Sequence, residues 1–253
     1  MSSTPTLHYF PTSHWSRVAH LCARECKVDV SYAFVDIRQN GSFAPEYVRV
    51  NPRGVVPTLQ DGDDIVCDSR RIAAHLDQRS RARDEVQLVS DDPIAKAWAD
   101  ELHDLPIMLF SYSVWVLAKR GERSADILDD KITRARKYAL EFPDLATAYE
   151  RKAVFFENFR REVYDEHHVA KQRGLADGLL TRLGERVAGH PFVGGTHDHF
   201  ADAIATSALY RFVDLGMLDH WYDAAGPLRA YYDRLRDRPS FAAVFVDDPL
   251  IPA

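Results

Sequence analysis

Residues 51–76 read NPRGVVPTLQDGDDIVCDSRRIAAHL, and this stretch decides the fold. Pro52 and Gly54 mark a loop, because proline fixes φ and glycine tolerates a positive φ. The apolar and β-branched run 55–59 predicts a strand. An Asp-Gly pair then favours a hairpin turn, and the run 65–67 predicts the return strand. The stretch therefore begins with a loop and a two-stranded hairpin.

A helix follows the hairpin directly. Asp68 or Ser69 is suited to cap its N-terminus, since either side chain accepts a hydrogen bond from a free backbone N–H. Ile72, Ala73 and Leu76 recur at a spacing that places them on one helix face. The stretch thus predicts a β-β-α unit whose helix packs against the sheet.

The residues before this unit extend the same pattern. The run 7–10 predicts a first strand, 14–26 an amphipathic helix, 30–36 a second strand and 43–50 a short helix. The order β-α-β-α-β-β-α predicts a mixed sheet with helices on its faces.

Strand signals disappear after a polar, charged linker at 78–92. Leu175, Leu179, Leu183 and Val187 repeat every four residues and predict a buried helical stripe. The other predicted helices cover 94–119, with a bend at Pro106, and 125–139, 145–163, 201–213, 228–235 and 240–245. The chain therefore predicts an α/β domain followed by an all-helical one.

The pattern Asn-Pro-x-Gly-x-Val-Pro-x-Leu, followed by an acidic residue and Ser at a helix start, resembles the glutathione-binding half of the glutathione transferases. The segments His190–Gly195 and Arg238–Phe241 are similar to that family's helical region. The resemblance implies a thioredoxin-like α/β domain at 1–80 and an all-α domain at 92–253. It also implies a homodimer that uses glutathione as cosubstrate.

The resemblance assigns the glutathione-binding residues. It implies a cis bond before Pro57, with the backbone of Val56 presented to the cysteinyl part of glutathione. X-Pro bonds are the ones that adopt cis at low cost. Asp68 and Ser69 would hold the γ-glutamyl end, although the family more often has Glu or Gln in the place of Asp68.

Cationic and polar residues near the motif complete this assignment. Arg53 is a candidate partner for a glutathione carboxylate, and Ser42 lies in the segment that often contacts the glycyl end in the family. Ordinary solvent-exposed roles are the alternative for both residues.

Ser13 is the candidate for activating the glutathione thiol. It lies four residues before Arg17, the spacing of the catalytic serine in theta-like and nu-like members, and the run S-x-x-x-R-x-A-H is also similar to bacterial dehalogenase-type members. A hydrogen bond donated to sulfur stabilises the thiolate and lowers its pKa. The alternative is that Ser13 only caps a helix. Tyr9, Thr12, His14 and Ser16 are other possible donors.

Two features narrow the reaction. No cysteine lies between Tyr9 and Arg17, which argues against the cysteine-type classes. The hydrophobic substrate site is expected at Trp15, Phe110 and Ser113. The long helical segment after Glu141 is similar to bacterial β-aryl-ether-cleaving members that act on lignin-derived aromatics.

The predicted reaction is attack of the glutathione thiolate on an electrophilic carbon of a hydrophobic, aromatic substrate. Cleavage of a β-aryl ether is one form of it, and halogenated or epoxide substrates are others. A non-catalytic glutathione-fold binding or regulatory protein is the alternative. Retention on immobilised glutathione without activity on any electrophile would favour that alternative.

Composition and sequence patterns argue against a nucleic-acid partner, a membrane span and a metal site. The net charge of −6 argues against nucleic acid as a partner. Three cysteines and no signal-peptide pattern favour a cytoplasmic protein without disulfides. The most apolar run, 105–117, is shorter than a bilayer span, so no membrane partner is expected. His197, His199 and Asp202 lack a second set of ligands, so no metal site is predicted.

Overall fold

The computed structural model describes residues 4–117, 123–217 and 226–248. Four strands form a mixed sheet in the order β2-β1-β3-β4. Strand β1 pairs parallel with β2 and antiparallel with β3, and β3 pairs antiparallel with β4. The strands are β1 (Thr6–Tyr9), β2 (Ser31–Phe34), β3 (Thr58–Asp61) and β4 (Asp64–Cys67).

Within the described residues, three helices accompany the sheet and eight more follow it. The first three are α1 (His14–Glu25), α2 (Pro45–Val50) and α3 (Ser69–Gln78), with a 3₁₀ turn at Gly41–Phe43 before α2. The others are α4 (Pro93–His103), α5 (Ile107–Leu117), α6 (Arg123–Glu141), α7 (Ala146–Tyr164), α8 (Glu166–Val187), α9 (Phe200–Asp214), α10 (Pro227–Arg236) and α11 (Pro239–Phe245). The thioredoxin-like α/β domain and the helical C-terminal region are confirmed.

The chain divides into two compact units. The first unit draws on residues 1–34, 56–105 and 176–253, and the second on 35–55 and 106–175. Leu7 and Leu59 of the sheet are completely buried in the first unit. The second unit has its own apolar cluster, which includes Phe43, Leu128 and Val163. The predicted domain limits at 1–80 and 92–253 remain a prediction.

The predicted single helix over 94–119 is wrong. Helix α4 ends at His103 and α5 begins at Ile107. Pro106 lies in the break, where it offers no N–H and its ring would clash with the carbonyl four residues earlier. The residue before a proline also disfavours helical backbone, so two helices replace one bent helix. Residues 118 and 119 lie outside the described part.

The predicted strand at 55–59 begins three residues late, at Thr58. The carbonyl of Val55 accepts hydrogen bonds from the Tyr47 hydroxyl at 2.7 Å and the Asn51 side-chain amide at 2.9 Å. These side chains occupy the acceptor that a neighbouring strand would use. Pro57 has no N–H to donate to a ladder.

The predicted stripe on α8 holds at three of its four positions. Leu179, Leu183 and Val187 are buried, but Leu175 is 60% exposed. A repeat of four residues drifts by about 40° per step on a helix with 3.6 residues per turn. Leu175 is therefore about 120° away from Val187 around the axis. Leu180 is buried instead, next to Leu179.

Candidate active site

The register of the sheet brings several predicted site positions to one end of the strands, which is called the edge below. His8 on β1 pairs with Thr58 on β3, and Thr58 pairs with Cys67 on β4. The end of β1, the start of β3 and the end of β4 therefore lie side by side. The chain leaves this edge through residues 10–13 and again at Asp68, and it enters through Pro57. All of these residues belong to the first compact unit.

The bond between Val56 and Pro57 is cis, as the resemblance implies. Val56 is buried, and β3 begins only at Thr58. The N–H and C=O of Val56 therefore lie outside the strand ladder. Such a backbone pair can accept and donate hydrogen bonds as an added strand does.

Asp68 is the N-cap of α3, and Ser69 is its first residue. One carboxylate oxygen of Asp68 accepts a hydrogen bond from the Arg70 N–H at 3.1 Å. The φ of Asp68 is +89°, a region that non-glycine residues rarely adopt. Backbone strain of this kind concentrates at functional sites. The adjoining helix N-terminus favours bound negative charge.

Ser13 is the N-cap residue of α1, but its hydroxyl makes no cap hydrogen bond. The backbone holds it in place, since its N–H donates to the Phe10 carbonyl at 2.9 Å and its C=O accepts from the Arg17 N–H at 3.0 Å. The side chain is half-buried. Ser13 thus stands at the N-cap position without a side-chain cap hydrogen bond, and its role as the thiol donor remains a prediction.

Tyr9 uses its hydroxyl within the protein. The hydroxyl hydrogen-bonds to the carboxylate of Asp248, with both oxygens at 3.0 Å. Burial raises the pKa of Tyr9 well above its usual value, and the carboxylate of Asp248 adds to the shift. The ring packs against Tyr32, with 5.1 Å between centroids. This geometry disfavours Tyr9 as the donor to a thiolate.

Two of the remaining donors also have internal partners. The Nδ1 of His14 lies 2.9 Å from the Ser207 hydroxyl, and the Ser16 hydroxyl accepts from the Phe10 N–H at 3.2 Å. Burial, together with the nearby Arg211, lowers the pKa of His14 to about 3, so the ring is neutral at pH 7. The carbonyl of Thr12 accepts a hydrogen bond from Arg211.

Arg17 supports the turn that carries Ser13. Its Nε donates to the Pro11 carbonyl at 2.7 Å, and its guanidinium lies 4.5 Å from the Tyr210 ring centroid and 5.0 Å from that of Phe245. Arg17 is buried, so it is unsuited to meet a ligand carboxylate in solvent. The sequence could not indicate these aromatic partners, which lie about two hundred residues further along the chain.

Trp15 is half-buried on α1, and its ring packs against that of His103, with 4.5 Å between centroids. Burial lowers the pKa of His103, and Arg70 adds to the effect. Nothing in the sequence singled out His103, which ends α4. Both rings lie within the first unit, with an angle of 37° between their planes.

Two substrate-site candidates are deeply buried in the second unit. Phe110 and Ser113 are completely buried on α5. The Ser113 hydroxyl donates to the Phe110 carbonyl at 3.1 Å, so it serves its own helix. Their assignment to a substrate site remains a prediction.

Ser42 and Arg53 also lie in the second unit. Ser42 is buried, whereas Arg53 is exposed and its N–H donates to the Asn51 side chain at 3.0 Å. Gly54 follows, with φ +56°. The assignment of Ser42 and Arg53 to glutathione remains a prediction.

Among residues 4–117, 123–217 and 226–248, no group of three His, Cys, Asp or Glu side chains is placed to hold a metal ion. None of the helices described there is long and apolar enough to cross a membrane. Cys22, Cys26 and Cys67, all within these ranges, form no disulfide.

The part of the chain that carries this geometry is similar to a known protein family. The family model described as glutathione S-transferase, N-terminal domain, matches residues 7–84. The matched residues contain the whole sheet, helices α1 to α3 and the positions of Ser13, Pro57 and Asp68.

Comparisons over the whole chain extend the likeness beyond residues 7–84. Tetrachloro-P-hydroquinone reductive dehalogenase of Sphingobium chlorophenolicum is 29% identical over 93% of each chain. Glutathione S-transferase TCHQD of Arabidopsis thaliana is 24% identical over 94% of this chain and 88% of its own. A theta class glutathione S-transferase from Xanthomonas axonopodis pv. citri, solved with glutathione bound, superposes with a TM-score of 0.67 and 22% identity over 97% of this chain and 98% of its own.

Proposed function

We propose that this protein is a glutathione transferase in which the glutathione thiolate attacks an electrophilic carbon of a hydrophobic, aromatic substrate. One observation carries the proposal. The Ser13 hydroxyl makes no cap hydrogen bond, although it stands at the N-terminus of α1 and at the edge that also carries cis Pro57. The match of residues 7–84 to the glutathione S-transferase N-terminal domain supports the choice of thiol.

Each residue at the edge has a role in this proposal. Ser13 donates a hydrogen bond to sulfur, which stabilises the thiolate, and the positive end of the α1 dipole adds to that effect. The backbone of Val56 pairs with the cysteinyl residue of glutathione. Asp68 accepts from the γ-glutamyl amine, while Ser69 and the α3 N-terminus hold its carboxylate. We assign Ser42 and Arg53 to the glycyl end on the family resemblance.

The bond changes are those of a substitution. The sulfur lone pair forms a carbon–sulfur bond, and the leaving group departs with the bonding electrons as a halide or an aryloxide. Binding both reactants on one protein converts a bimolecular encounter into an oriented attack. Trp15 would contact the aromatic ring of the substrate, with Phe110 and Ser113 as further candidates.

Two of the three cysteines are unsuited to a reductive reaction. Removing a halide reductively with thiols consumes a second thiol, which leaves as a disulfide. Burial raises the pKa of Cys22 well above its usual value and that of Cys26 to about 12, so neither thiol readily forms the attacking thiolate. No cysteine accompanies Ser13 in the segment 9–17. Cys67, which ends β4 next to Asp68, is only partly buried. The products therefore separate the two reactions: one thioether for each glutathione consumed indicates substitution, and a disulfide indicates reduction.

The candidate substrates differ in their leaving group, which is a halide from a halogenated aromatic and an aryloxide from a β-aryl ether. The likeness to a dehalogenase supports a halogenated aromatic, and the long helical segment after Glu141 supports a β-aryl ether. Purified protein should be offered a chloronitrobenzene and a nitrophenyl β-aryl ether, with chloride, nitrophenol and the glutathione conjugate measured. If the protein bound glutathione but turned over neither compound nor an epoxide, the result would favour a non-catalytic binding protein over an enzyme.

The proposal includes a cytoplasmic homodimer, as the family resemblance implies. Light scattering on the purified chain measures the mass directly. A monomer at micromolar concentration would contradict the dimer and leave the chemistry at Ser13 intact.

A further inference from the structure

The turn that leads into α1 is held by the carbonyl oxygens of residues 10–14. Each of these five carbonyls accepts a hydrogen bond from within the first compact unit. Two of the donors are backbone N–H groups, those of Ser13 and Arg17, and the other three are side chains. A carbonyl in a turn can be satisfied by a side chain or by water. Protein donors at all five positions therefore fix the path of the turn.

Two of the three side-chain donors lie on α9. A guanidinium nitrogen of Arg211 donates to the Thr12 carbonyl. The Ser207 hydroxyl donates to the His14 carbonyl at 3.2 Å. These two carbonyls belong to the residues immediately before and after Ser13. Helix α9 therefore holds the backbone on both sides of the candidate thiol donor.

Ser207 makes a second contact with the same residue. Its hydroxyl lies 2.9 Å from the Nδ1 of His14. A hydroxyl carries one hydrogen, so it makes both contacts when it donates to the carbonyl and accepts from the ring N–H. The two contacts together fix the backbone and the side chain of the first residue of α1.

The third side-chain donor is also supported by α9. Ser207, Tyr210 and Arg211 lie on one face of this helix, because residues three and four apart are neighbours. The ring of Tyr210 lies 4.5 Å from the guanidinium of Arg17, whose Nε donates to the Pro11 carbonyl at 2.7 Å. One face of α9 thus contacts the turn through two residues and supports it through a third.

Arg211 is itself anchored. Its side chain is only 12% exposed, and its Nη1 donates to the carboxylate of Asp214 at 3.0 Å. The guanidinium is planar and presents its N–H groups in fixed directions. A side chain held by burial and by Asp214 can therefore keep the Thr12 carbonyl at a fixed distance from α9.

We propose that Arg211 and Ser207 are positioning residues that direct the Ser13 hydroxyl toward the bound thiol. This hydroxyl makes no cap hydrogen bond, so its direction depends on the backbone of the turn. A displacement of about 1 Å at a reacting centre can cost about 100-fold in rate. The inference rests on the proposed function, in which Ser13 donates to the thiol of glutathione. It extends the site beyond residues 7–84 to a helix of the C-terminal region.

The alternative is that these contacts only pack α9 against α1. Such a role would affect stability but not the bound thiol. Arg238 provides a matched control, because it forms ion pairs with Glu25 at the other end of α1 and with Asp198 just before α9. Arg238→Met thus weakens the link between the same two helices at the end of α1 opposite to Ser13.

The first experiment measures the thiol in the full chain. The pKa of bound glutathione is read from thiolate absorbance, and kcat and KM are measured with glutathione and a chloronitrobenzene. Arg211→Met should raise the thiol pKa by about one unit and lower kcat about tenfold, with the KM for glutathione within about twofold. Ser207→Ala should act in the same direction. Arg211→Lys keeps a donor and should recover part of the loss, and Arg238→Met should keep both wild-type values.

The second experiment needs no glutathione. The Ser13 N–H donates to the Phe10 carbonyl at 2.9 Å, so its hydrogen exchange reports how well the turn is ordered. Arg211→Met and Ser207→Ala should each speed this exchange by about tenfold, and Arg238→Met should not. If Arg211→Met fails to fold, Arg211→Lys and Ser207→Ala carry the test.

The outcomes separate this inference from the proposed function. If Arg211→Met and Ser207→Ala leave the thiol pKa, kcat and the Ser13 exchange rate unchanged, the inference is overturned and the glutathione transferase stands. Equal changes in Arg238→Met would also overturn it. So would an effect of Arg211→Met on the thiol with none in Ser13→Ala, because Arg211 would then support a different donor. A wild-type protein that does not bind glutathione would overturn both.

Discussion

The hydroxyl of Tyr9, at the end of β1, hydrogen-bonds to the carboxylate of Asp248 near the end of the described chain, with both oxygens at 3.0 Å. Both side chains are buried, and the Nδ1 of His20 lies 3.9 Å from the same carboxylate. The contact gives the Tyr9 hydroxyl a partner inside the protein, which disfavours it among the candidate thiol donors. The choice of Ser13 as the donor remains a proposal.

Replacing Tyr9 by Phe should destabilise the protein without affecting the chemistry. The change removes the phenol donor from a buried carboxylate, at a cost of about 1–3 kcal/mol in the free energy of unfolding. Urea denaturation measures the loss. The pKa of bound glutathione, read from thiolate absorbance, should stay at its wild-type value. A raised thiol pKa in this variant would assign the donor role to Tyr9.

Replacing Ser13 by Ala should have the opposite effect. The bound thiol loses its donor, so its pKa should rise and kcat should fall on the order of 100-fold, as for loss of one oxyanion donor. The free energy of unfolding should change little, because the Ser13 hydroxyl makes no cap hydrogen bond. Ser16→Ala is the matched control in the same helix, where the hydroxyl accepts from the Phe10 N–H. That control should lose stability and keep the thiol pKa.

Two buried histidines should make the protein sensitive to acid. Burial lowers the pKa of His14 to about 3 and that of His20 to about 4, whereas an unfolded chain has a histidine pKa near 6.5. Below about pH 6.5 the unfolded chain therefore binds more protons than the native state, and stability falls as the pH falls.

The test is the free energy of unfolding between pH 7 and about pH 4.5. Each histidine should account for about 2 kcal/mol of the loss over this range. His14→Gln and His20→Gln should each flatten the profile, and exchange of the exposed His167 should not. Profiles parallel to wild type in both variants would show that other groups cause the acid sensitivity.

Asp202 should be the most costly carboxylate to remove from α9. Its oxygens accept from the N–H groups of Val193 and His199, at 2.9 and 3.0 Å, and from the Tyr231 hydroxyl at 2.6 Å. Asp202→Ala leaves these buried donors without an acceptor, at a cost of about 3 kcal/mol or more. Asp233→Ala removes an exposed ion pair on α10 and should cost less than about 1 kcal/mol. Comparable losses in thermal unfolding would contradict this difference.

Gly54 should not tolerate a side chain. Its φ is +56°, and a Cβ would lie 2.7 Å from the Ser42 carbonyl oxygen and 2.8 Å from the Nζ of Lys152. Gly54→Ala should therefore destabilise the protein by about 1–3 kcal/mol. Gly178 is the control, since a Cβ there meets nothing within 4 Å and α8 should gain up to about 1 kcal/mol from alanine. Equal stability of the two variants would show that the segment around Gly54 can shift.

The stretch 51–76 shows how far local sequence predicts the fold. The Asp-Gly hairpin and the Asp68 cap depend on neighbouring residues alone, and both are present. The start of β3 depends on the donors that reach the Val55 carbonyl, so its predicted position was wrong. The sequence predicted a bend at Pro106, but the structure has two separate helices there. A proline in the sequence shows where a helix is disturbed, but not whether the helix bends or ends.

The candidate site divides in the same way. Sequence alone determined that Ser13, Pro57 and Asp68 belong to one thioredoxin-like edge. The reason is that short runs of neighbouring residues predict the strands and the turns between them. Only the tertiary structure decided which hydroxyl is occupied, since Asp248 and Ser207 approach Tyr9 and His14 from the far end of the chain. Tertiary structure also revealed that α9 reaches the carbonyls on either side of Ser13. Burial and hydrogen-bond partners depend on what packs around a residue, and periodicity in one helix does not carry that information.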